Sequence, residues 1–376
     1  MFCLGLLKTC YNFNMFKKIL SIVTIVLVAV IAYVAFTETV EVDGIVMTMG
    51  EATLYSLSQL NVWVLFLLIP VQVLTYYCAG QIYFAFLRVR QGLEITQAKL
   101  MRVSLEINFV NHAMPSGGVS GLGYLIWRLR SFGITPGQVS FIHVLRYMIS
   151  GFAKTVQIWI ALVIVLVAGV VIPGGEWAIW VAVGVALGVE LVILVAWLIV
   201  RNRKTVEGFA QWVSKATNWL ARWLTRGRKR VLLREESVGN YFSDLRGDYL
   251  AIKRNKDMMK KPILWGALFV LLEAITYWVV AIAMGRPEIL PQIMIAEGVA
   301  SFVGLILITP GGVGGYEALM IGMMVALGVD LSVATIVVIA TRVIVMLGTF
   351  VSGWGFYQQA LLSHEDKFDP KSKENS

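Results

Sequence analysis

Several charged side chains in this chain stand where an apolar surrounding should exclude them. Arg146, Lys154, Glu190, Glu273 and Arg342 lie inside long apolar runs, and His143 precedes Arg146 by about one helical turn. On insertion scales such a charge costs at least about 2.5–3.5 kcal/mol at the centre of a membrane helix. It therefore needs an ionic partner or a substrate. Glu297 and Glu317 bracket Pro310-Gly311-Gly312-Val313-Gly314-Gly315, and Glu106, Asn108, Asn111 and His112 lead into Pro115-Ser116-Gly117-Gly118. Helices that begin at such turns present unpaired N–H groups and the positive end of a dipole, which suits an anion. The chemistry these residues suit is recognition of a phosphate: arginine for charge-assisted contacts, glycine-rich turns for backbone donors and room to move.

Covalent chemistry has thin support. The chain has no Ser/His/Asp arrangement, and its three histidines (His112, His143 and His364) do not cluster with carboxylates as a metal site requires. The glycine run lacks a following Lys-Ser/Thr, so it is no nucleotide P-loop. Cys3, Cys10 and Cys78 offer neither a disulfide framework nor metal-ligand spacing. The reading is of a non-enzyme without cofactor or metal.

Those residues need helices to hold them. Of the 376 residues 58% are hydrophobic and only 15% charged, against about 25% charged in a soluble domain. The apolar excess is gathered into runs long enough for a bilayer, which takes roughly 20 residues per helical crossing. Six runs read as full spans: Ile19–Phe36, Leu60–Leu87, Val139–Ile172, Trp177–Val200, Ile263–Met284 and Val333–Ala360. Pro70 should kink the second. Leu93–Phe132 and Ile289–Leu327 are broken at their Pro-Gly centres, and each half is too short to cross. Each reads as a re-entrant pair of half-helices. The expected fold is an all-α integral membrane protein: one transmembrane domain over 1–376, with six spans and two re-entrant hairpins.

Basic residues set the expected orientation. Lys17 and Lys18, the Arg88–Arg130 region and the 201–261 loop are basic, while the intervening loops are acidic or bare. The positive-inside rule puts both termini in the cytoplasm of an inner cell membrane. Half of the 32 Lys and Arg fall between Arg201 and Lys261, so the net charge of +9 reports membrane topology and not nucleic-acid binding. Within that loop Phe209, Trp212, Val213, Ala216, Trp219, Leu220 and Trp223 recur at helical spacing, which predicts an amphipathic helix on the inner leaflet; a soluble bundle is the rival reading. Residues 1–15 read as an N-terminal extension, with Met15 as a second candidate start, and 361–376 as a cytoplasmic tail.

The broken segments repeat. Pro115 and Pro310, Gly133 and Gly328, and Thr135 and Asp330 are each 195 residues apart, and Arg146 and Arg342 are 196 apart. Thr135, which precedes Pro136, and Asp330 are each expected to cap the following helix. The copies span 60–172 and 262–360, and the span count makes them inverted, an arrangement of transporters whose site lies at the repeat interface. Inversion sets Arg146 nearer the inner face and Arg342 nearer the outer, as two stations for an anionic headgroup in transit. Fixed salt bridges are the rival account for both. Lys154 and Glu190 are expected to pair, and Glu317 to sit at a helix N-terminus.

Asn-Phe-Val-Asn-His-Ala-Met-Pro-Ser-Gly-Gly-Val-Ser-Gly (108–121) and Ile-Thr-Pro-Gly-Gly-Val-Gly-Gly-Tyr-Glu (308–317) resemble the two signature regions of the flippase-like membrane family. That family includes the transmembrane domain of lysylphosphatidylglycerol synthases and free-standing relatives. The resemblance covers nearly the whole chain and implies translocation of a phospholipid or polyprenyl-linked lipid between leaflets. It departs at two places: commoner members carry an acid shortly after the first Pro and a Glu directly before the Arg, where this chain has Gly121, Gly123 and Leu145. The chain ends at Ser376 without the soluble aminoacyl-transfer domain, so it is expected to move a lipid made elsewhere. Its expected partners are membrane lipids, with a lipid-synthesising enzyme and a second copy of the chain as further candidates. The alternatives are an anion channel or exchanger, and a membrane enzyme on lipid-linked sugars with Glu317 or Glu106 as base.

Overall fold

A computed structural model of the chain describes residues 39–42, 45–48, 60–93, 95–113, 119–130, 132–169, 175–202, 247–304 and 314–368, with single residues between 51 and 58 and between 205 and 219. The predicted first span and the N-terminal extension lie outside the described residues. The first described element is a small antiparallel hairpin, β1 (Thr39–Val42) with β2 (Ile45–Thr48), in which Val42 faces Ile45. Asp43-Gly44 between the strands is a strong hairpin signal in sequence. The rest of the described chain is helical.

Five helices are long and apolar enough to cross a bilayer. The first is in two pieces, α1 (Val62–Leu65) and α2 (Leu68–Gln91), with the break one turn before Pro70. Proline has no N–H to return to the carbonyl of Phe66, so the predicted kink falls at this break. The broken segment that follows is α3 (Gln97–Ala113) and α4 (Val119–Arg130), then comes α5 (Pro136–Val167). Thr135 caps α5 as expected: its hydroxyl accepts from the Gln138 N–H while the Gln138 amide accepts from the Thr135 N–H. Helix α6 (Glu176–Arg201) completes the first half.

The second half repeats the order of lengths. Helix α7 (Lys260–Ala283) is long, α8 (Leu290–Gly304) and α9 (Gly315–Ala326) are short, and α10 (Leu331–Phe368) is long. At 1.5 Å per residue the four short helices reach about 18–26 Å, less than a hydrocarbon core of about 30 Å. In each copy the two short helices pack on each other. Turns recur as well: Gly92 and Gly285 take positive φ after the first long helix of each copy, and Gly133 and Gly328 before the last. Asp330 stands directly before α10. Its carbonyl accepts from the Ala334 N–H at 2.9 Å at the start of α10, while its carboxylate lies 3.3 Å from Arg286.

The copies pack reciprocally. Helix α2 lies along α7, α3 of the first copy packs on α10 of the second, and α8 of the second packs on α5 of the first. Each exchanged contact closes on a glycine. A Cβ at Gly353 of α10 would fall 2.5 Å from Phe109 Cβ of α3, and one at Gly298 of α8 would fall 2.7 Å from Ile158 of α5. In lipid, close packing of small residues takes the place of a hydrophobic drive between helices. The outer faces carry exposed large apolar side chains, among them Ile69, Val163, Leu191 and Val351, which suit contact with acyl chains.

Candidate functional site

Helix α7 is the spine of the polar interior. Phe269, Glu273 and Tyr277 stand at i, i+4 and i+8, on one face over about 12 Å. Each meets a different charged neighbour.

Opposite Phe269 is Arg146 of α5. Its Nη1 donates to the Tyr83 hydroxyl at 2.8 Å, and its guanidinium lies 5.0 Å from the Tyr83 ring and 5.4 Å from the Phe269 ring. Rings hold a cation through their negative faces. Tyr83 also lies 3.1 Å from His143 Nδ1. Among the described residues no carboxylate comes within salt-bridge reach of Arg146, and Glu273 acts on it from farther away. The salt bridge that competed with substrate binding in the sequence reading is thus not made here.

Arg342 of α10 is held differently. Its Nε donates to Glu317 Oε1 at 2.6 Å, and its guanidinium lies 4.8 Å from the Tyr316 ring. The other oxygen of Glu317 accepts from the Gly314 N–H at 2.7 Å, so one carboxylate anchors the start of α9 and the arginine together. Glu317 at a helix N-terminus matches the sequence reading, and its pair with Arg342 is the rival salt bridge. Gly314, with φ of 92°, sets the turn, which a side chain would strain. Gly315 opens α9. The Tyr277 hydroxyl donates to Tyr316 at 3.3 Å, which ties this cluster to the spine.

Lys154 corrects an expectation. It pairs not with Glu190 but with Glu297, and with Glu273 at 3.0 Å. Glu190 of α6 accepts from the Trp159 indole N–H at 2.9 Å. The cause is rotational: on α5, Lys154 turns toward α7 and α8, whereas Trp159 turns toward α6. Depth along the helix was readable in sequence, but the helix face was not.

In the first hairpin Glu106 is fully buried. It accepts from Arg102 at 2.9 Å, Arg128 at 3.0 Å and the Tyr124 hydroxyl at 2.9 Å. Asn108 donates to the Ser104 carbonyl at 3.0 Å, and His112 Nδ1 to the Asn108 carbonyl at 2.8 Å, which leaves Nε2 directed elsewhere. Arg342 lies within electrostatic reach of His112, so the ends of both hairpins approach it. Asn111 packs at Gly121, where a Cβ would fall 2.1 Å from Asn111 Oδ1. A side chain at Gly121 would require the Asn111 amide to move aside. Pro115, Gly117, Gly118, Pro310, Gly311 and Gly312 lie outside the described residues.

The structure brings Arg342, Gly314, Gly315, Glu317 and His112 toward one another. Arg146 stands on another part of the spine. Sequence reasoning missed Tyr83, Phe269, Tyr277 and Tyr316. Their aromatic type is common in membrane spans, so nothing marked them before the helices were packed.

A family model described as the lysylphosphatidylglycerol synthase TM region matches residues 19–353. No curated protein and no solved structure matches the chain. The match takes in both broken segments and all five long helices up to residue 353. The chain is thus a multi-pass membrane protein that belongs to the lysylphosphatidylglycerol synthase TM region family.

Proposed function

We propose that this protein carries an anionic lipid between the two leaflets of the cell membrane, with the lipid phosphate held by Arg146. The observation that carries this reading is the guanidinium of Arg146, which rests on two aromatic rings and a hydroxyl and has no carboxylate in reach among the described residues. A charge kept inside a membrane helix without an acid suits an anionic ligand that comes and goes. The family membership supports a role in lipid modification or transport. The reading is of carriage without covalent chemistry. Both termini are assigned to the cytoplasm, and the two copies to opposite orientations: three long helices, α2, α5 and α6, separate their starting points.

The position of the two arginines supports a central site. Arg146 lies 10 residues into α5 and Arg342 lies 11 into α10. That is about 15–17 Å along each axis, close to the middle of a hydrocarbon core of about 30 Å.

A lateral opening favours a lipid over a free anion. An apolar groove of about 420 Å³ runs along α2 between α3 and α10, lined by Phe66, Ile69, Val73, Met101, Leu105 and Ile344. Its residues on α1 and α2 reach from Val62 to Tyr76, about 21 Å, a length that suits an acyl chain. Gln72 at its wall donates to Thr276, the neighbour of Tyr277 on the spine.

The test is reconstitution into vesicles of phosphatidylethanolamine and phosphatidylglycerol with fluorescent lipids of several headgroups. The expected result is protein-dependent movement of the anionic lipid, slowed in Arg146→Gln. Equal movement of every headgroup, unchanged by Arg146→Gln, would sink the reading.

A further inference from the structure

Two carboxylates converge on one lysine between the copies. Lys154 of α5 meets Glu297 of α8 and Glu273 of α7. Lys154 and Glu297 are buried, 7% and 1% exposed. The two acids are not equivalent. Glu297 accepts from three donors: Lys154, Ser301 at 2.8 Å and Gln157 at 3.1 Å. Glu273 has Lys154 as its one close donor, and its side chain is 31% exposed. It is the more exposed of the two acids, although its Oε2 is buried.

The charges nearby sum to zero only while Arg146 is unloaded. Arg146, Ser150 and Lys154 follow one another at i, i+4 and i+8 on α5, facing Phe269 and Glu273 on α7. Arg146 and Lys154 contribute two positive charges, and Glu273 and Glu297 two negative. Among the described residues the other titratable groups around the cluster are Tyr83 of α2, His143 and Tyr147 of α5, Tyr277 of α7 and Tyr316 of α9, with Glu317 paired to Arg342 and Glu190 bonded to Trp159. An anionic headgroup on Arg146 would leave the interior with one excess negative charge. In a medium of low dielectric such a charge is unfavourable, and a nearby acid takes up a proton. Three polar atoms of the cluster and its stripe are buried without a hydrogen-bond partner among the described residues: Ser150 Oγ, Gln157 Oε1 and Glu273 Oε2, the last at ion-pair distance from Lys154. Ser150 stands between Arg146 and Lys154, where a hydroxyl can pass a proton.

We propose that Glu273 is a proton-binding site coupled to Arg146, so that each anionic lipid crosses with one proton. A proton from water binds a Glu273 carboxylate oxygen when the headgroup engages Arg146, and it returns to water on the other side when the headgroup leaves. Cargo and proton together carry no net charge. A pH difference therefore drives the lipid toward the leaflet that faces the more alkaline solution. The inference rests on the reading of Arg146 as the phosphate ligand.

The experiment uses fluorescent phosphatidylglycerol in phosphatidylethanolamine vesicles with an imposed pH difference. At full coupling the leaflet ratio shifts about tenfold per pH unit. Glu273→Gln should abolish the shift. A wild-type protein that moves the lipid but ignores the gradient overturns the proposal, and so does a Glu273→Gln variant that keeps the shift. Infrared difference spectroscopy of the wild-type protein covers the case in which the variant does not fold. Added phosphatidylglycerol should raise the carbonyl band of a protonated carboxylic acid, and added phosphatidylethanolamine should not; no band with either lipid overturns the proposal. Arg146→Gln separates the two ideas. Normal movement in that variant removes the phosphate site itself, whereas lost movement with a gradient-blind wild type removes only the proton.

Discussion

The two copies place an arginine at matching positions and treat it in opposite ways. Arg342 is locked by Glu317, whose second oxygen holds the start of α9. Arg146 lies on Tyr83 and Phe269, with no acid beside it among the described residues. The buried glutamates of the first short helices differ in the reverse sense. Glu106 is clamped by two arginines and a tyrosine, whereas Glu297 shares its one lysine with Glu273. In the first copy the glutamate is clamped and the arginine has no acid; in the second the arginine is paired, and Glu297 shares its lysine with Glu273 while also accepting from Ser301 and Gln157. A symmetric backbone can thus carry a fixed charge in one place and an available one in another. The difference comes from side chains around the arginine, not from the repeat.

The comparison breaks most visibly at the saturated sites. Glu106→Gln leaves two arginines facing a neutral amide, and one-sided removal of a buried pair costs about 3–5 kcal/mol. The folded fraction in detergent should fall sharply, with a lowered melting temperature. Wild-type stability in this variant would mean that the Arg102 and Arg128 contacts are slack.

Arg342→Gln comes next. It unpairs Glu317, and the expected loss is about 1.5–3 kcal/mol of stability, read from thermal unfolding by size-exclusion chromatography. Adding Glu317→Gln should recover much of it, since the double variant leaves no unpaired charge. Recovery of stability together with lost lipid movement would show that Arg342 also serves the cargo and would narrow the contrast with Arg146.

Arg146→Gln should leave the folded yield near wild type and slow lipid movement about ten- to a hundredfold, the loss of one charge-assisted contact of about 1.5–3 kcal/mol. Arg146→Lys keeps the charge but not the planar, two-pronged grip, so an intermediate rate is expected. A collapse in yield without a change in rate per folded molecule would make Arg146 a structural residue like Arg342.

The smallest effect is expected away from both copies. Trp212 and Trp219 are helical and 63% and 62% exposed, which fits a surface that lies on lipid better than one packed inside a soluble bundle. Changing Trp212, Trp219 and Trp223 together to Ser should raise protease cleavage in the 206–230 segment and leave the spans inserted. Unchanged protection would count against the interfacial helix.

Length and apolarity of the runs are properties of the chain alone, and they placed the five spans that fall among the described residues. The predicted runs 60–87, 139–172, 177–200, 263–284 and 333–360 coincide to within a few residues with helices that begin at Val62, Pro136, Glu176, Lys260 and Leu331. Backbone chemistry did the same for the interruptions, because proline and clustered glycine end a helix whatever surrounds it. The spacing of Pro, Gly and Arg, read without any structure, already revealed the duplication, and the motifs around 108–121 and 308–317 revealed the family. Only the tertiary structure decided who meets whom. A span buried on several faces is apolar nearly all round, so its sequence does not report its rotation. For that reason Lys154 was assigned to Glu190 but found on Glu273 and Glu297. For the same reason the two arginines looked equivalent. The glutamate that cancels one of them and the aromatic rings that leave the other uncancelled come from helices far away in sequence, brought together only by packing.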